Sequence, residues 1–227
     1  MKSDHQGMIP LHRLEGFSDA VFAFAVTLLV VSLEVPKSAD ELFAAMHGFV
    51  AFGICFMFLV LIWIEHSRFF QRFPLNDGTT VALNMVLLFV VLLYVYPLKF
   101  LFSALTNAWL WGRGTDSIKS LDEFRALMVI YGLGFLALNL VLMGMRFNAR
   151  RLARQRGISA RDEVNLRAGI ARNGCNGLVA LTSVLIVVFT RDDGVWCGFI
   201  YALLGPIAWY FARRSRNQEA QAELTAA

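Results

Sequence analysis

Catalytic and metal-binding chemistry is scarce in this chain of 227 residues. It offers no Ser/His/Asp set, no glycine-rich phosphate loop and no cluster with metal-ligand spacing, so neither an enzyme nor a bound cofactor is expected. His5, His12 and His47 are scattered, and Glu65 beside His66 fits a helix end more simply than acid–base work. The three cysteines (Cys55, Cys175 and Cys197) fall in or beside apolar segments without metal-type spacing. They read as buried thiols, not as a disulfide framework or a fixed metal site. A polar stretch long enough for a separate soluble domain is also missing, so the chain reads as one domain, 1–227. A cleavable leader is not expected: the first apolar run is too long and has no small-residue cleavage site, and it reads as an uncleaved signal-anchor.

What the chain has in abundance is apolar surface. Apolar residues make up 57% of it, above the share in ordinary globular domains. Runs near 20 residues suffice to span a bilayer as helix. Six are expected, at 14–35, 43–65, 79–101, 122–146, 174–190 and 194–213, the last two divided by the polar turn 190–194. The fold class is therefore an all-α integral membrane protein with six transmembrane helices. Pro206 is expected to kink the sixth. Gly132, Gly134, Gly198 and Gly205 are small enough to permit close helix packing.

Basic residues alternate between the loops. Fifteen of the twenty-one fall on one side, eight of them between Arg146 and Arg172, against six on the other. The positive-inside rule places both termini in the cytoplasm, which requires an even number of crossings. The basic stretch 146–172 suits orientation and anionic headgroups better than nucleic acid, since the net charge is only +4. A short interfacial helix is expected over 161–172, with Asp162 and Glu163 near its start.

That orientation brings four polar residues to one depth. Ser18 and Asp19 lie near the cytoplasmic end of the first segment, His66 near that end of the second, and Asn84 near that end of the third. A carboxylate entering hydrocarbon is costly and marks a functional site or a specific partner. Histidine and asparagine supply donors, so Asp19 is expected to be clasped by His66 and Asn84. The alternative is that each polar group snorkels separately to the headgroups. At about 100° per residue, with Asp19 at zero, Phe17, Phe24, Leu28 and Val31 cluster at roughly 120–180°. Asp19 points nearly opposite. If it is clasped, that apolar stripe faces lipid or neighbouring subunits. Thr27, at about 80°, borders the stripe.

The run Arg13-x-x-x-Phe17-Ser18-Asp19, continued by Ala20-Val21-Phe22-Ala23 and Thr27-Leu28-Leu29, resembles the first helix of the transmembrane protein 175 family of cation channels in its bacterial form. His66 after Trp63, and Asn84 in Leu83-Asn84-Met85, look like that family's polar partners in helices two and three. The resemblance is specific over the first hundred residues and architectural beyond. It implies a homotetramer in the bacterial inner membrane that conducts potassium between four copies of the first helix. It also implies apolar rings at Phe24, Leu28 and Val31 as the constriction, with Thr27 supporting the pore helix and potassium preference. No re-entrant selectivity-filter loop is expected, and Tyr131-Gly132-Leu133-Gly134 is no substitute for one. The chain departs from the family at Phe24, where isoleucine is usual. Four phenylalanines imply a closed or poorly conducting pore at rest. The rival readings are a proton-coupled secondary transporter using Asp19 and His66, a membrane-embedded enzyme, and a membrane assembly protein without transport. Segments four to six hold no second Phe-Ser-Asp, which counts against a duplicated transporter.

Overall fold

A computed structural model describes residues 9–31, 37–111, 118, 120–189, 198–211 and 213–214. Among these the chain is entirely helical outside short connections. In chain order the helices are α1 (Leu11–Val31), α2 (Ala39–Arg72), α3 (Gly78–Trp111), α4 (Leu121–Arg156) and α5 (Ala160–Phe189), followed by a shorter apolar stretch, Ile200–Phe211. Among the described residues, four segments are long and apolar enough to cross a membrane: Gly48–Arg72, Gly78–Ala108, Leu121–Gln155 and Ala160–Phe189. Helices meet most of their backbone hydrogen bonds internally, which is the architecture that hydrocarbon permits.

The helices extend past the apolar runs that announce them. α2 continues to Arg72, and α4 to Arg156. Residues 161–172 are not a separate interfacial helix. They form the first turns of the 30-residue α5. The starts are capped by side chains. Asp77 accepts from the Thr80 N–H (3.2 Å) and from the Thr80 hydroxyl (2.6 Å), Ser120 accepts from the Glu123 N–H (3.2 Å), and Ser159 accepts from the Asp162 N–H (3.1 Å). Each cap satisfies a donor that a helix start leaves orphaned. α4 stops at Gly157, whose φ of +82° is the left-handed backbone that ends helices. Pro97 sits inside α3, where it removes one intrahelical donor. Just ahead of Pro206, Ile200–Leu203 forms a 3-10 turn. The turn at 190–194 and Cys197 lie outside the described residues.

The chain divides into two compact units, residues 1–123 and 124–227. In the first, α1, α2 and α3 each touch the other two. The buried face of α1 is Leu14, Ser18, Phe22, Ala25 and Leu29, a 3.6-residue repeat. It packs with Ala51, Cys55, Leu59 and Ile62 of α2 and Leu87, Leu88, Val91 and Val95 of α3 among the buried side chains. Outward faces of α2 and α3 carry Met57, Leu61, Phe89 and Leu93 in the open.

In the second unit α4 and α5 run antiparallel. A Cβ on Gly132 would run into Val184 Cγ2, one on Gly177 would meet Leu136 Cδ1 at 3.4 Å, and Arg146 lies across Gly169. Near the ends of the pair, Glu163 accepts from Arg150, Arg154 and Arg167. Cys175, in the middle of α5, is half-buried, while Cys55 of the first unit is fully buried, and both are free thiols.

Candidate functional site

The polar centre of the first unit is a directed chain of hydrogen bonds. Asn84 Nδ2 donates to Ser18 Oγ at 2.9 Å, which leaves Asn84 Oδ1 to accept from His66 Nε2 at 2.7 Å. The Ser18 hydroxyl in turn donates to the Leu14 carbonyl at 2.8 Å. The order His66 → Asn84 → Ser18 → Leu14 therefore fixes the imidazole proton on Nε2. Ser18, His66 and Asn84 are all buried. The imidazole lies between two rings, Phe22 at 5.6 Å and Phe70 at 4.8 Å between centroids, and its Nδ1 is buried without a hydrogen-bond partner. One side chain from each of three helices enters this chain, so it ties α1, α2 and α3 at a single level.

Asp19 is not a member of it. It lies exposed in the single chain and accepts from the indole N–H of Trp63 at 2.8 Å. The reason is angular. Ser18 stands at the middle of the buried face of α1, and the next residue is turned by about 100° to its edge. A neutral hydroxyl can be buried with one donor and one acceptor, whereas a carboxylate there would carry a far larger desolvation cost. The expected clasp of Asp19 by His66 and Asn84 is thus replaced by a clasp of Ser18, with Asp19 tied to Trp63 beside it.

A second tie holds the far end of α1. Lys99 of α3 donates from Nζ to the carbonyl of Leu29 at 3.2 Å. That carbonyl belongs to the last turn of α1, where acceptors lack intrahelical donors and a cation is favoured. Charge counting treats Lys99 as one more outer-side basic residue. The signal that marks it is a lone lysine inside an apolar run, directly after Tyr96-Pro97-Leu98.

Held at both ends, α1 leaves one side uncovered. Gly16, Ala20, Ala23 and Thr27 form its middle, with Asp19 and Val30 along one margin and Phe17 and Phe24 along the other. Phe17 is 53% and Phe24 56% exposed, large values for aromatics unless another surface meets them. Leu28 is half-buried at the rim. Thr27 Oγ1 donates back to the Ala23 carbonyl at 3.0 Å, so its hydroxyl is satisfied within the helix. Arg13 is exposed one turn before Phe17. Val31 ends α1, and its side chain lies outside the described residues. The open side is thus centred on small residues and Thr27, with the apolar stripe along one margin. Among the described residues no three of His, Cys, Asp and Glu gather as a group able to hold a metal ion.

Comparisons with known proteins bear on what this geometry serves. Residues 13–94, which contain Ser18, Asp19, His66, Asn84 and the exposed side of α1, match the family described as endosomal/lysosomal potassium channel TMEM175. A potassium channel of Marivirga tractuosa is 35% identical over 212 residues, covering 88% of this chain and 86% of that protein. The crystal structure of a variant of the potassium channel MtTMEM175, in complex with a nanobody fusion, superposes with a TM-score of 0.79 at 35% identity over 90% of this chain and 93% of the other. A TMEM175 homologue from Chamaesiphon minutus shares the fold, with a TM-score of 0.57 at 23% identity over 90% of this chain and 97% of that one. The family and these relatives are channels, not enzymes. On this likeness along nearly its whole length, the chain is a multi-pass membrane protein that belongs to the TMEM175 family.

Proposed function

We propose that the chain is a potassium channel of the bacterial inner membrane, assembled from four copies that surround a central pore with their α1 helices. The observation that carries this reading is the one-sidedness of α1. Its buried face is locked to α2 and α3, while the face around Ala20, Phe24 and Thr27 is open in the single chain. A helix so held presents the same face to a symmetry axis in every subunit. The whole chain, 1–227, forms one channel domain of six crossings with both termini in the cytoplasm. The basic residues at the ends of α2, α4 and α5 nearest Arg72, Arg156 and Arg161 support that orientation. Potassium is the permeating substrate, and no fixed site or filter loop holds it.

Phe24, Leu28 and Val31 form the constriction on this reading. Apolar rings at a narrow axis stop ions by excluding water, so the resting pore is closed or nearly so. Of the two rings whose side chains are described, Phe24 lies nearer the cytoplasm, about 6 Å along the axis from Leu28. Leu28 lies at the rim of the buried face, and it comes to the axis only when α1 turns together with α2 and α3, to which it is pinned. Thr27, between these rings, spends its hydroxyl on the Ala23 carbonyl.

The test is flux in liposomes under a potassium gradient. Phe24→Ala and Leu28→Ala are each expected to raise potassium flux several-fold or to weaken preference over sodium. Unchanged flux in both would remove the constriction from α1. A requirement for a coupling proton gradient would favour the transporter reading, and absence of flux in all variants would favour an assembly role.

A further inference from the structure

The paired ends of α4 and α5 hold more positive charge than they neutralise. Arg150 donates to Glu163 Oε1 through Nε (3.0 Å) and Nη2 (2.7 Å), Arg154 through Nη2 (2.8 Å) and Arg167 through Nε (2.8 Å). Three guanidinium groups thus converge on one carboxylate oxygen, leaving two positive charges in excess within a few ångströms. Like charges so close repel, so an anion brought to this cluster is favoured. Each guanidinium has more N–H groups than these bonds use.

The cluster also stands at a defined depth. Residues 126–145 of α4 carry no charge, and twenty helical residues span about 30 Å, the thickness of the hydrocarbon. Arg150 and Arg154 follow within the next two to three turns, about 6–13 Å further along the axis. The outward face of α4 carries Leu133, Leu140 and Phe147 and then Arg151 and Arg154. On α5 the exposed Leu185 and Leu178 lead down to Arg167 and Val164. Apolar faces on two helices therefore run without a break into one cationic rim. The side chains of Arg154 and Arg167 are 53% and 60% exposed, so an incoming group can reach them.

We propose that Arg150, Arg154 and Arg167, gathered by Glu163, form a binding site for the phosphodiester of an anionic phospholipid, with Phe147 against the start of its acyl chains. The charge excess selects an anion, and the continuous apolar faces select one that carries hydrocarbon. Glu163 is a positioning residue, because it sets the guanidinium groups without touching the lipid.

The experiment uses the purified full-length protein in nanodiscs of phosphatidylglycerol mixed into phosphatidylcholine, with retained lipid counted by native mass spectrometry. Arg154→Ala together with Arg167→Ala is expected to lower retained phosphatidylglycerol at least fivefold and to leave phosphatidylcholine unchanged. Arg150 keeps both its bonds to Glu163 in this variant and so preserves the tie between the helices. Arg154→Lys with Arg167→Lys is expected to keep most of the retention. Unchanged phosphatidylglycerol in the alanine pair overturns the site. So does equal loss of both lipids, or complete displacement by soluble glycerol phosphate. If the alanine pair does not fold, Arg154→Gln with Arg167→Gln replaces it under the same criteria. The readout involves no ion flux, so it stands or falls apart from the channel reading.

Discussion

Asn84 is the side chain on which the first unit turns. It spends one end on Ser18 and the other on His66, and all three are buried. Asn84→Ala strips a partner from each neighbour and leaves both buried in apolar surroundings. The expected loss is about 1–3 kcal/mol, the range for orphaning a buried polar group. Trp63→Phe removes a single bond to an exposed carboxylate and is expected to cost about 1 kcal/mol or less. Thermal unfolding of the two variants in one detergent checks the order, and a smaller loss for Asn84→Ala would contradict this account. The common depth of Ser18, His66 and Asn84 was legible from the alternation of helix direction alone. That Ser18 and not Asp19 faces inward was not. On a helix apolar all round, the pattern does not say which side is core, and a rotation of one residue exchanges the two. Asp77 and Ser159 were legible as caps in principle, from the Asp-x-x-Thr and Ser-x-x-Asp spacings before apolar runs.

At the level of helices, α4 and α5 meet through glycines of different character. A methyl on Gly132 collides with Val184, a branched side chain in a buried place, whereas one on Gly169 meets Cδ and the guanidinium of Arg146, the far end of a long side chain. Gly132→Ala is therefore expected to destabilise by about 1–3 kcal/mol through overpacking. Gly169→Ala is expected to be near neutral, since alanine gains roughly 1 kcal/mol of helix propensity against the displaced arginine. Adding Val184→Ala to Gly132→Ala should restore much of the loss. Independent, additive losses in the double variant would deny the contact. Apolar runs marked where these helices lie in hydrocarbon but not where they end. Backbone hydrogen bonding continues through polar sequence until a cap or a glycine stops it, which is why 161–172 joined α5 and α4 reached Arg156. Gly132 was legible as a packing residue, but its partner was not, because the facing side chain depends on the register of two helices.

For the whole molecule, the channel reading makes assembly the decisive property. Native mass measurement of the purified protein is expected to give four chains, and a stable monomer or dimer that still conducts would refute the shared pore. The exposed aromatics of α1 belong to this scale, because the described residues of a single chain leave them more than half uncovered. α1 is pinned twice, through Ser18 near its start and through the Leu29 carbonyl near its end. Eleven residues separate these pins, about 16 Å along the axis. Two anchors so far apart forbid the helix from spinning or sliding alone. For the proposed conduit, an aperture built from such staves widens as a camera iris does: each leaf swings as a whole, carrying α2 and α3 with it.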